Sequence, residues 1–136
     1  MISVVADTHA LIWYIFDVDK LSKTALTALE QAVNAGNPIY ISTITIIEIS
    51  YLVEKGRFAE EVLTKILNAL DDPNVGIVLV PLDRNISGVI RQIDRVTVPD
   101  MPDRIIAATA FSLGIPLVTR DLRIQALTQF RLFGSK

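Results

Sequence analysis

The chain has 136 residues, a net charge of -2, no cysteine and a single histidine; its length suits one domain that buries a core without cross-links, and its composition excludes disulfides, thiolate catalysis, cysteine-held zinc and any site needing two histidines. The hydrophobic fraction of 51% and mean hydropathy of +0.44 are high, as expected for a sheet covered on both faces together with apolar surface buried in an oligomer. Charges such as Asp7 and Glu48 break every stretch that would otherwise cross a bilayer, and Asp7 falls where a signal peptide needs its apolar segment, so the chain is expected to be cytoplasmic.

In chain order, residues 2–6 read as a buried strand. Residues 9–16 read as a short helix carrying Leu11, Ile12, Ile15 and Phe16. Asp17–Lys20 is a turn, and Ser22 is placed to cap a helix that runs to Ala35 before Gly36-Asn37-Pro38 stops it. Ile39–Ser42 is a second strand. A helix follows to about Lys55, with Gly56 as its stop, and another spans Phe58–Leu70. Val75–Val80 is a third strand, residues 84–95 a helix, and 98–102 a loop. A helix over 103–113 ends at Gly114. Leu117–Thr119 is a fourth strand, 122–128 a short helix, and 131–133 a fifth strand. Apolar strands alternating with amphipathic helices predict an α/β fold, a three-layer α/β/α sandwich with a mainly parallel sheet of four to five strands, occupying the whole chain as one domain.

Four acidic residues interrupt apolar runs within this pattern. Asp7 ends Ile2–Ala6, Glu48 stands inside Ile44–Ile49, Asp103 opens Ile105–Ala108, and Asp121 follows Leu117–Arg120. Buried carboxylates are costly unless protonated, paired or bound to a cation. In a doubly wound sheet, ligands sit beyond the carboxyl ends of the strands, so one pocket there collects all four. Oxygen donors without histidine or cysteine suit Mg²⁺ or Mn²⁺, and a site of that kind suits phosphodiester hydrolysis by metal-activated water. These acids account for more than the whole net negative charge, which leaves the remaining surface mildly basic and compatible with a nucleic-acid substrate.

Four segments then carry a family resemblance. Asp7-Thr8-His9-Ala10-Leu11-Ile12-Trp13 resembles the opening motif of PIN-domain nucleases, particularly VapC-type toxins of prokaryotic toxin–antitoxin pairs. Ser42–Ile49 is similar to their second motif, Pro102–Ala110 to their third and Leu117–Asp121 to their fourth, in the same order along nearly the whole chain. The resemblance implies a Mg²⁺- or Mn²⁺-dependent ribonuclease, a homodimer held inactive by a small antitoxin protein. It implies that Asp7, Glu48, Asp103 and Asp121 are the catalytic, metal-binding acids, with Thr119, Thr8 and Arg104 in support.

Each of these residues also has a purely structural reading. Asp7 suits a turn, Glu48 a pairing with Lys55, and Asp103 or Asp121 the capping of a following helix. Asp100 competes with Asp103 for the capping role. Arg104 and Arg120 stand beside the acids, placed either to touch phosphate or to pair with carboxylates. His9 and Trp13 suit local packing better than catalysis or base stacking. Two other phosphate-handling classes fit poorly. A haloacid-dehalogenase-like phosphatase wants an Asp where His9 stands, and a receiver domain wants a Lys that Thr119-Arg120-Asp121 does not supply. The alternative that stays open is a non-catalytic PIN-like module that binds RNA or a partner.

Overall fold

The computed structural model describes residues 3–119 and the backbone of 132–134. Five parallel strands, β1 (Val4–Ala6), β2 (Ile39–Ser42), β3 (Ile77–Val80), β4 (Leu117–Thr119) and β5 (Leu132–Gly134), form one sheet in the order β3-β2-β1-β4-β5. The helices between them are α1 (Thr8–Phe16), α2 (Lys23–Asn34), α3 (Thr43–Glu54), α4 (Glu60–Asp71), α5 (Arg84–Val89) and α6 (Met101–Leu113).

Side chains of successive strand residues leave opposite faces of the sheet. Val4 and Ala6 pack with α1, α2 and Ile66 of α4, whereas Val5 between them packs with Ile86, Ile106 and Ala110 from α5 and α6. The central strand β1 is apolar and buried at every position because both faces are covered, which is why it does not alternate. The expected three-layer α/β/α sandwich is therefore the observed one.

Local signals set most boundaries. Ser22 caps α2, its hydroxyl accepting from the Ala25 N–H at 3.1 Å. Gly114 ends α6 in the left-handed region at φ 68°, where a side chain would be strained. Several boundaries differ from expectation, β3 and α4 each beginning two residues late, and two of the differences have a visible cause. The helix expected over 84–95 stops at Val89 and continues only as a 3-10 turn over Ile90–Gln92. Arg104 supplies the reason. Its guanidinium donates to the carbonyls of Ile90 at 2.9 Å and Ile93 at 3.0 Å, beside the Ile93 N–H that closes the 3-10 turn onto Ile90. The Asp94 carboxylate accepts from the Thr97 hydroxyl and the Val96 N–H, which closes the turn that follows. The helix expected from Asp103 begins instead at Met101, because Asp100 is its N-cap and Pro102 is tolerated in the first turn. The helix expected over 122–128 lies outside the described residues.

Candidate metal centre at the carboxyl edge of the sheet

Strand β1 sends the chain toward β2 on one side, while β4 returns on the other. The crevice at this switch point is where α/β sheets hold ligands. Asp7 stands there. Its N–H donates to the Val118 carbonyl at 3.0 Å, which ties the end of β1 to β4. Its side chain is almost wholly buried and is the N-cap of α1: Oδ1 accepts from the Ala10 N–H at 2.7 Å. Oδ2 accepts from the buried hydroxyl of Thr119, the last residue of β4. These two bonds fix the orientation of the Asp7 carboxylate. The positive end of α1 favours its charged form.

Thr8 links the first motif to the second. Its buried hydroxyl donates to Glu48 Oε1 at 2.5 Å and pairs with the Thr45 hydroxyl at 3.2 Å. Glu48 is half-way along α3. One turn earlier on the same side lies Ile44, which is buried, while Glu48 itself is half-buried. Burial pushes the Glu48 carboxyl up from its ordinary pKa, and the charges of Asp100 and Asp7 push it the same way; the Thr8 hydrogen bond opposes them. The carboxylate is thus satisfied by a threonine, and among the described residues no ion pair joins it to Lys55.

Oxygen atoms of Glu48, Asp100 and Asp103 lie within 4.8 Å of one another, a spacing that a single cation can bridge. Asp103 is in the first turn of α6, half-buried, where the helix terminus favours an anion. Two of the expected acids, Glu48 and Asp103, are therefore brought together, and Asp7 acts on Glu48 through its charge. Asp121 lies outside the described residues, as does Arg120. Arg104 spends its guanidinium on the backbone carbonyls of Ile90 and Ile93, which differs from both expectations for it, a phosphate contact or a carboxylate pair. His9 packs edge-on against Trp13 with ring centroids 5.8 Å apart, in keeping with a packing role.

Sequence reasoning treats Asp100 only as a cap and overlooks Thr45. The spacing of Asp100 and Asp103, three residues apart, is the available signal, because such residues share a side of the first helical turn. Beside the acids a groove of about 330 Å³ runs along α3, lined by His9, Ile47, Glu48, Tyr51, Lys55 and Met101, among others.

Sequence comparison places this geometry in a lineage, since the PIN domain profile matches residues 4–129. The chain belongs to the PIN domain family. A relative, Ribonuclease VapC22 of Mycobacterium tuberculosis, is 25% identical over 126 residues, covering 93% of this chain and 92% of that protein. Among solved structures, VapBC2 of Rickettsia felis bound to a promoter DNA fragment superposes with a TM-score of 0.72 at 18% identity, covering 98% of each chain. DNA-bound VapBC of Salmonella typhimurium gives 0.71 at 20% identity over 98% of each chain. A toxin–antitoxin complex of Klebsiella pneumoniae gives 0.60 at 24% identity, covering 95% of this PIN chain and 99% of the other. These likenesses confirm the PIN fold.

Proposed function

We propose that this PIN-domain chain is a divalent-cation-dependent ribonuclease that acts as the toxin of a toxin–antitoxin pair. The observation that carries the reading is the meeting of separate motifs at the carboxyl edge of the sheet: Asp7 with Thr119, and Thr8 with Glu48, beside Asp103. The name of the similar Ribonuclease VapC22 and the toxin–antitoxin complexes among the structural neighbours support it.

The donor set fits the cation. Every candidate ligand is a carboxylate oxygen, supported by threonine hydroxyls, as Mg²⁺ and Mn²⁺ prefer and zinc does not. Asp7, Glu48 and Asp103 would hold it, with Asp121 of the fourth motif. When bound, such an ion lowers the pKa of water and offsets charge on a phosphodiester. The protein's own part is positional. The Ala10 N–H and the Thr119 hydroxyl hold the Asp7 carboxylate in one orientation. Thr8 holds Glu48 and lowers the cost of its charge. The clustered negative charge would repel a polyanionic substrate unless a cation neutralised it.

The partners follow from surface chemistry. Ile47 is 48% exposed and Tyr51 61% on α3, with Phe16 and Leu67 exposed on α1 and α4. Apolar surface of this extent is suited to a homodimer and to the amphipathic segment of an antitoxin. An Arg or Lys of that antitoxin would take the place of the cation. No helix among the described residues is long and apolar enough to cross a membrane. The deciding experiment incubates purified protein with single-stranded RNA in Mg²⁺, Mn²⁺ or EDTA, beside Asp7→Asn. Cleavage by the wild type in either metal alone supports the proposal. Cleavage that survives EDTA rejects the cation. RNA left intact by folded wild-type protein in both metals selects the non-catalytic binding module instead.

A further inference from the structure

Several hydroxyls on the helices donate to the carbonyl four residues back: Ser50 to Ile46 at 2.9 Å, Ser87 to Asp83 at 2.7 Å and Thr109 to Ile105 at 2.8 Å. That is the ordinary way to satisfy a hydroxyl on a helix. Thr45 differs. It stands in the first turn of α3, so the residue four back, Ile41, belongs to β2 and not to the helix. Its side chain is wholly buried, where a hydroxyl without a partner is costly. The partner is the Thr8 hydroxyl on α1, 3.2 Å away. Packing alone would be served by a valine of the same shape, which needs no partner.

Proton counting gives that bond its direction. A threonine hydroxyl has one proton, and an ionised carboxylate can only accept. The Thr8 hydroxyl is 2.5 Å from Glu48 Oε1, so its one proton goes there, in a charge-assisted bond of the short kind. The Thr45 hydroxyl must then donate to Thr8 Oγ1. Three groups form a chain, Thr45 to Thr8 to Glu48, with each proton pointing toward the carboxylate. Thr8 is 4% exposed and Thr45 0%, which leaves bulk water little access to replace either donor. Chained bonds in such a setting polarise and strengthen one another.

We propose that Thr45 is a positioning residue of the cation site: by donating to Thr8 it holds the Thr8 hydroxyl in the rotation that aims its proton at Glu48. The inference rests on the cation site proposed above, since it takes Glu48 as an ionised ligand. Thr45 touches neither cation nor substrate and acts only through Thr8. It stands three residues before Glu48, so α3 carries both the ligand and the far end of the chain that orients it.

Mn²⁺ binding to the full chain, followed by calorimetry and by loss of the free-ion EPR signal, tests the proposal beside thermal melting in EDTA. Thr45→Val keeps the shape and removes the hydroxyl. Thr45→Ser keeps the hydroxyl and removes a packed methyl. The valine variant is expected to bind Mn²⁺ at least about tenfold more weakly, the scale for losing a group that orients a metal ligand. The serine variant is expected to melt earlier than the wild type yet bind Mn²⁺ as the wild type does. Thr8→Val is expected to weaken binding at least as much as Thr45→Val. Adding Thr45→Val to it is expected to change binding no further, because residues in one hydrogen-bond network are not additive. The proposal is overturned if Thr45→Val binds Mn²⁺ like the wild type, if Thr45→Ser loses it as the valine variant does, or if the two valine substitutions weaken binding additively. Each of those outcomes leaves the cation reading standing. If the wild type itself binds no Mn²⁺, the cation reading fails and takes the Thr45 proposal with it.

Discussion

Both oxygens of Asp7 already accept protein hydrogen bonds, from the Ala10 N–H and the Thr119 hydroxyl. The structural and the catalytic readings of this residue therefore hold together, and the two can be separated by substitution. Asp7→Asn keeps a capping acceptor and removes the charge, so RNA cleavage is expected to fall by at least about 100-fold, the scale of a lost charge-stabilising group, with little change in melting temperature. Asp7→Ala removes the cap as well and is expected to cost about 1 kcal/mol of stability in addition. Full activity in purified Asp7→Asn would remove Asp7 from the machinery. Glu48 makes a prediction about pH. Its carboxyl is raised, so between the ordinary glutamate pKa and its folded value the native chain holds a proton that the unfolded chain has released. Stability of the metal-free protein then falls as pH rises through that window, and the penalty is complete above it. Glu48→Gln is expected to flatten this slope and to be the more stable protein at neutral pH. Urea titrations in EDTA across mildly acidic pH read it directly, and an unchanged slope would assign the pH dependence elsewhere.

At the scale of elements, Asp7, Glu48 and Asp103 are legible because a charge inside an apolar run is conspicuous in a linear string. The role of Arg104 is not, because its partners are backbone carbonyls 14 and 11 positions earlier in the chain, and any residue has a carbonyl. The same arginine explains why the segment after β3 breaks off: the periodic apolar residues Ile86, Val89, Ile90 and Ile93 suggest a longer helix, but Arg104 on α6 stabilises the 3-10 turn and the bend after it. Arg104→Met is accordingly expected to destabilise the fold by about 1–3 kcal/mol, the range for leaving an acceptor such as the Ile93 carbonyl without its donor, while leaving Mn²⁺ affinity near that of the wild type. Denaturant unfolding and Mn²⁺ titration of one preparation distinguish this from a phosphate contact, which would weaken RNA binding without loss of stability.

For the whole molecule, the question is what covers α3. Its helical face is apolar on more than one side: Ile44 and Ile49 are buried in the core, while Ile47 and Tyr51 project outward. The inner pair is explained by the sheet. The outer pair fits a second copy or an antitoxin, in keeping with the apolar excess of the composition. Tyr51→Arg should leave the monomer fold intact, because Tyr51 contributes nothing to either core cluster. Wild-type protein is expected to sediment as a dimer well above micromolar concentration and Tyr51→Arg as a monomer. A wild type that remains monomeric there would assign the outer face of α3 to the antitoxin alone. Expression of the wild type without its antitoxin should arrest growth, and expression of Asp7→Asn should not.

The order of strands and helices along the chain, the parallel sheet, and the places of Asp7 and Asp103 at helix starts and of Glu48 inside a helix were all determined by the sequence alone. Each follows from information local to a short segment: the period of apolar residues, a capping side chain, a glycine that stops a helix. Which of those side chains meet was decided only by the tertiary structure. Thr8 reaches Glu48 across 40 residues and Thr119 reaches Asp7 across 112, contacts that exist because β4 returns beside β1 while α3 packs against α1. Asp100 joined the acids for the same reason. As a cap its role is visible three residues away, but its approach to Glu48 depends on α6 packing beside α3, and no local pattern records that.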